Sequence, residues 1–141
     1  MPRLTPQQLQ EAKRKKAEEA EEAERRREEW EGWILNAHDQ YAQLTSVATG
    51  LYEEQDKLAR KWPNMPASKL TIDKANKLIR AVKELMKGED DAFVTDITEF
   101  VPAGDDIEMR DMVLTLSEVR QALTRFRAKY REEWQDRGVW Q

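Results

Sequence analysis

Hydrophobic side chains recur in steps of three and four along residues 30–62. Each step returns the next side chain to the same side of an α-helix. The positions are Trp30, Ile34, Ala37, Tyr41, Leu44, Ala48, Leu51, Gln55, Leu58 and Trp62. Flanking side chains at Trp33, Val47 and Tyr52 widen this stripe, which is typical of a bundle core rather than a narrow coiled coil. The pattern predicts one long helix in a bundle, with Trp30 and Trp62 in the core.

A second stripe with the same spacing lies near the C-terminus. Its members are Met109, Met112, Leu116, Val119, Leu123, Phe126, Tyr130 and Trp134. Asp105, followed three positions later by Glu108, is a capping-box pattern that predicts the start of this helix. We therefore expect a second long helix, with Trp134 in the core.

The segment between the two stripes predicts two shorter helices. Pro63 and Pro66 end the first long helix, because proline lacks the N–H that a helix interior requires. Thr71 is a candidate cap for a helix over 72–87. Apolar spacing predicts another helix over 91–101, although the run FVTDITEFV also alternates like a strand. No second strand candidate is apparent, so the sequence predicts an all-α, antiparallel four-helix bundle-like domain.

The N-terminal segment differs from the rest of the chain. Residues 6–29 consist almost wholly of Glu, Lys, Arg, Gln and Ala, which are strong helix formers with little apolar surface to bury. The segment predicts a charged helical extension, with a docking arm as the alternative interpretation. The predicted organisation is thus an extension over 1–29, a bundle over 30–136 and a short tail over 137–141.

Charge is strongly segregated behind a formal net charge of −4. Residues 57–87 carry nine basic and two acidic side chains, whereas residues 88–111 carry nine acidic side chains and one arginine. Adjacent blocks of opposite sign suit docking to a charged partner, self-association or pairing within the chain.

Catalysis is discouraged by the residue types present. The chain has one histidine, His38, and no cysteine, and no serine stands in a recognisable nucleophile motif. The acidic residues lack the alternating spacing and central glycine of an EF-hand calcium loop. We therefore predict no enzymatic activity, no metal and no cofactor. The lack of cysteines and of a long apolar run predicts a cytoplasmic protein without a membrane span.

The leading functional hypothesis is a non-catalytic interaction or adaptor subunit of a larger assembly. It would dock by helix packing and charge complementarity, and its partner would be another protein or a second copy. Tryptophan is a frequent interface anchor, and acidic side chains would complement a basic partner. The candidate partner-binding residues are Trp140, Trp33, Asp90, Asp91 and Asp96.

Nucleic-acid association is the alternative hypothesis. The basic block predicts a helix surface that could neutralise phosphates within a larger assembly. The candidate phosphate contacts are Lys74, Lys77, Arg80, Lys83 and Lys87. The acidic overall composition argues against sequence-specific reading by a recognition helix.

Overall fold

The computed structural model describes residues 3–89, 97–100 and 107–140. Within these ranges the protein is all-helical, with α1 at Pro6–Lys61, α2 at Lys69–Leu85 and α3 at Met109–Asp136. The predicted all-α class is confirmed. The chain forms two compact units, Met1–Asn36 and Ala37–Gln141. The predicted division at residues 29 and 136 stays a prediction.

Residues 6–30 of the unit Met1–Asn36 are helical for local reasons. The Gln8 N–H donates to Thr5 Oγ1 and the Thr5 N–H donates to Gln8 Oε1, which is a capping box around Pro6 at the first helical position. Every residue from 3 to 30 is exposed. Ion pairs one turn apart support this segment, such as Arg26 with Glu22 at 2.8 Å.

The unit Ala37–Gln141 contains a hydrophobic core. All eight members of the second stripe are buried along α3. In this unit the first stripe is buried at Ala37, Ala48, Leu51 and Gln55. Ring contacts join Tyr41 to Trp134 and Tyr52 to Arg120, so this part of α1 runs antiparallel to α3. At Tyr41 and Trp134, members of the two stripes therefore contact each other.

Backbone hydrogen bonds join the α1–α2 connection to the start of α3. The Ala67 N–H donates to the carbonyl of Ile107, and the N–H groups of Met109 and Arg110 donate to the carbonyls of Met65 and Pro63. The bonds of Met109 and Arg110 satisfy N–H groups that the first turn of a helix leaves without intrahelical partners. The predicted start at Asp105 lies outside the described residues, and Glu108 at the N-cap makes no side-chain capping bond.

The cap of α2 is Ser68 rather than the predicted Thr71. Helix α2 begins at Lys69, and the Thr71 N–H donates to Ser68 Oγ at 3.1 Å. Serine is among the preferred N-cap residues because its oxygen accepts from the second or third helical N–H. The helix therefore begins three residues before the predicted start at residue 72.

The predicted helix over 91–101 is not confirmed. Its described residues, Ile97–Phe100, are neither helical nor in a strand, and the rest lies outside the described residues. The Asn76 amide donates to the Phe100 carbonyl at 2.9 Å, and the Phe100 N–H donates to Asn76 Oδ1 at 2.7 Å. A side chain of α2 therefore satisfies the backbone groups that a helix would have satisfied internally.

Two of the predicted core tryptophans are exposed. Trp134 is fully buried as predicted, but Trp30 is 40% exposed and Trp62 is 52% exposed. Trp62 follows the last residue of α1, next to Pro63, where the seam ends. The Trp30 ring stacks on Trp33 at a centroid distance of 5.2 Å. Helical spacing places a side chain on the seam, but burial also requires a facing element.

Candidate docking groove

An open groove lies between α1 and α2 within the unit Ala37–Gln141. We call it the α1–α2 groove, and its volume is about 510 Å³. Its lining residues are Leu44, Val47, Leu51 and Glu54 of α1 and Lys74, Lys77, Leu78 and Ala81 of α2. Five of these eight side chains are apolar, and Val47 is 54% exposed. The groove therefore leaves apolar surface accessible between α1 and α2.

Charges at the groove are unequal between the two helices. Lys74 and Lys77 are exposed on the α2 side, whereas Glu54 stands on the α1 side. Among the described residues, the ion pair of α2 is made by Arg80 and by neither of these lysines. The α2 wall of the groove thus carries two ammonium groups that are available to an incoming carboxylate.

The five predicted phosphate contacts do not form one surface. Successive helical residues are rotated by about 100°, so Lys74 and Lys83, nine positions apart, point in opposite directions. Arg80 forms an ion pair with Glu99 at 3.0 Å, which joins the basic block to the acidic block within the chain. Lys83 is half-buried, and Lys87 lies beyond the last residue of α2. Only Lys74 and Lys77 line the α1–α2 groove.

Trp140 folds back onto its own unit. Gly138 has a φ of +71°, and the N–H groups of Gly138 and Val139 donate to the carbonyls of Gln135 and Trp134. This pattern is a Schellman motif, which reverses the chain after a helix. The Trp140 ring then lies 4.3 Å from the guanidinium of Arg127. The predicted anchor therefore packs against α3 and is half-buried.

A small cavity of about 230 Å³ lies beside Trp140. Its lining residues are His38, Tyr41, Ala42, Thr45, Arg127, Trp134 and Trp140. His38 meets the Trp134 ring edge-on at 5.1 Å, which places the chain's single histidine against the aromatic core. This cavity is less than half as large as the α1–α2 groove.

Trp33 lies in the other unit, Met1–Asn36. Its ring is 39% exposed and stacks on Trp30. Two exposed, stacked indoles form an aromatic surface on one helical turn. The three acidic candidates, Asp90, Asp91 and Asp96, lie outside the described residues.

A partly buried polar cluster lies just beyond the end of α2, and the sequence pattern does not indicate it. The Glu89 carboxylate accepts hydrogen bonds from the Tyr130 hydroxyl and the Lys129 ammonium. Burial, and secondarily the hydrogen bond to Glu89, raise the pKa of Tyr130 well above its usual value. Glu89 and Tyr130 are 41 residues apart. The hydrophobic spacing predicts Tyr130 only as a core residue. It contains no signal that pairs Tyr130 with Glu89.

The described residues contain no cluster of three or more potential metal ligands. Across the same residues, no helix combines the length and apolar character needed to cross a bilayer. In comparisons with known proteins, no family model matches the chain, and no curated protein or solved structure shows significant similarity to it.

Proposed function

We propose that this protein is a non-catalytic interaction subunit that binds a helical segment of a partner protein in the α1–α2 groove. The supporting observation is the combination of an apolar floor, at which Val47 is exposed, and a charged wall between α1 and α2. Helix-in-groove binding uses this arrangement, because an amphipathic helix buries its apolar stripe between two such ridges.

Val47 is the residue on which this proposal can be tested. It is among the most exposed apolar side chains of α1, and it lines the groove. Removing it from water on binding would be favourable at roughly 25 cal/mol per Å² of apolar surface. A glutamate at this position would place a charge where the partner's apolar stripe must lie.

The experiment is a quantitative affinity purification from the source cells with three baits: wild type, V47E and L114E. Leu114 is a matched control, because it is an exposed apolar residue of α3 that does not line the groove. We expect proteins that are retained by wild type and L114E but lost with V47E. Identical retention by V47E and wild type would contradict the proposal.

Binding to a phosphate backbone is the second candidate function. Lys74 and Lys77 support it, because both are exposed and neither forms an ion pair within the described residues. Fluorescence anisotropy with labelled single-stranded RNA and duplex DNA would test it over a range of salt concentrations. If this candidate is correct, the affinity for nucleic acid falls steeply as the salt concentration rises. The K74E/K77E variant should then show no binding. No binding of wild type at low salt would exclude it.

A further inference from the structure

We infer that the partner helix of the α1–α2 groove carries acidic side chains on the side that faces α2. This inference rests on the proposed function and adds the chemistry of the partner.

The floor of the groove determines the shape of its occupant. Leu44, Val47 and Leu51 follow each other along α1 in steps of three and four, and Leu78 and Ala81 lie opposite on α2. Leu44 and Leu51 are about 10 Å apart along the helix axis, which is two helical turns. A partner helix with apolar side chains at positions i, i+4 and i+7 matches that length.

The walls of the groove determine the charge of its occupant. A helix lying on this floor brings one flank against Lys74 and Lys77 and the other flank towards Glu54. Carboxylates on the first flank would pair with both ammonium groups, whereas lysines there would be repelled. Such rim charges contribute to orientation and partner choice more than to affinity, which comes mainly from the apolar floor.

A phosphate backbone matches this groove less well than a helix does. It would pair with Lys74 and Lys77 but would leave the apolar floor at Leu44 and Val47 uncovered. Sequence-tolerant binding of single strands normally uses aromatic side chains on which bases stack. The described lining residues of the groove include none.

Helix α3 and residues 6–29 of a second copy are also a poor match. The apolar stripe of α3 is buried in its own unit. Acidic residues of the exposed N-terminal segment already form ion pairs with arginines one turn away, as in Glu22 with Arg26 and Glu29 with Arg25. A separate protein with an acidic amphipathic helix is therefore the better occupant.

Two designed helical peptides provide the test. Both carry the same leucine stripe, and their flanks are glutamate in one peptide and lysine in the other. Binding of each fluorescently labelled peptide to the full chain is measured by anisotropy. We expect wild type to bind the glutamate peptide about tenfold more tightly than the lysine peptide. The glutamate peptide can form ion pairs with Lys74 and Lys77, whereas the lysine peptide is repelled by both. The K74E/K77E protein should show the opposite preference.

The V47E and L114E proteins distinguish the proposed function, which is helix binding in the groove, from the inference that the partner helix is acidic. V47E should weaken both peptides at least tenfold, whereas L114E should bind like wild type; circular dichroism checks that each variant is folded. Equal affinity of wild type for the two peptides, still lowered by V47E, would overturn the acidic-partner inference and leave the proposed function standing. Binding that is insensitive to V47E would overturn both. A wild-type dimer in analytical ultracentrifugation that V47E dissociates would assign the groove to self-association and overturn the inference.

Discussion

The units Met1–Asn36 and Ala37–Gln141 are both helical, but different forces stabilise them. Residues 3–30 are all exposed, and their helix relies on a capping box and on ion pairs between side chains one turn apart. The second unit buries two apolar stripes and a cluster of aromatic rings. Helix-forming residues alone therefore specify the helix over residues 6–30, whereas packing of a continuous seam specifies the tertiary structure of the second unit.

The largest expected effect of a substitution is in the second unit. Trp134→Ala should lower the free energy of unfolding by about 3–5 kcal/mol, because it removes a fully buried indole and leaves a cavity. Trp30→Ala is the matched substitution in the first unit, and its cost should be about 1 kcal/mol or less. Urea unfolding followed by circular dichroism measures both. Equal costs would contradict the distinction between the units.

Asn76→Ala should have the next largest effect. Its amide holds the backbone of Phe100 through two hydrogen bonds, and the substitution leaves both backbone groups without these partners. We expect a loss of about 2 kcal/mol in the free energy of unfolding. Lys77→Ala, one position along on the exposed side of α2, is the control and should change stability by less than about 0.5 kcal/mol. A similarly small change for Asn76→Ala would show that the two hydrogen bonds to Phe100 contribute little to the free energy of unfolding.

Tyr130 should make the stability of the second unit sensitive to alkaline pH. Its pKa is raised in the folded protein, so the folded state favours the neutral phenol. In the unfolded chain the Tyr130 phenol ionises near the ordinary pKa of about 10. The contribution of Tyr130 to stability should therefore be constant below this pH and decline above it. Tyr130→Phe should cost about 1 kcal/mol at neutral pH through the lost hydrogen bond to Glu89.

Unfolding midpoints from pH 8 to pH 11.5 would test the role of Tyr130. The Tyr130→Phe protein should lose less stability than wild type between pH 10 and pH 11.5. Identical pH profiles for Tyr130→Phe and wild type would show that another group causes the decline.

The smallest expected effect is in the first unit. Arg26→Ala removes the ion pair with Glu22 and should cost about 0.3–0.5 kcal/mol of helix stability.

Hydrogen exchange should show low protection of amides 6–30 and high protection along α3, because the local helix opens without disrupting a core. Protection at 6–30 equal to that of α3 would indicate that this helix is stabilised by more than local interactions.

Several features were predictable because they depend on neighbours in the chain. The predicted stripe of α3 is buried at all eight positions, because a period of 3.6 residues identifies the buried side of a helix. The end of α1 before Pro63 followed from proline chemistry. Lys74 and Lys77 were identified as basic surface residues, and their exposure is confirmed. Each of these inferences uses residues within a few turns of one another.

The sequence by itself thus determined the helical class, the buried side of α3 and the segregation of charge. Tertiary structure alone decided that Val47 and Lys77 line one groove, that Asn76 holds Phe100, and that Trp140 folds back onto Arg127. In each case the two residues are distant along the chain or lie across a reversal of its direction. Their proximity depends on how helices pack and where loops turn, and local periodicity contains no information about either.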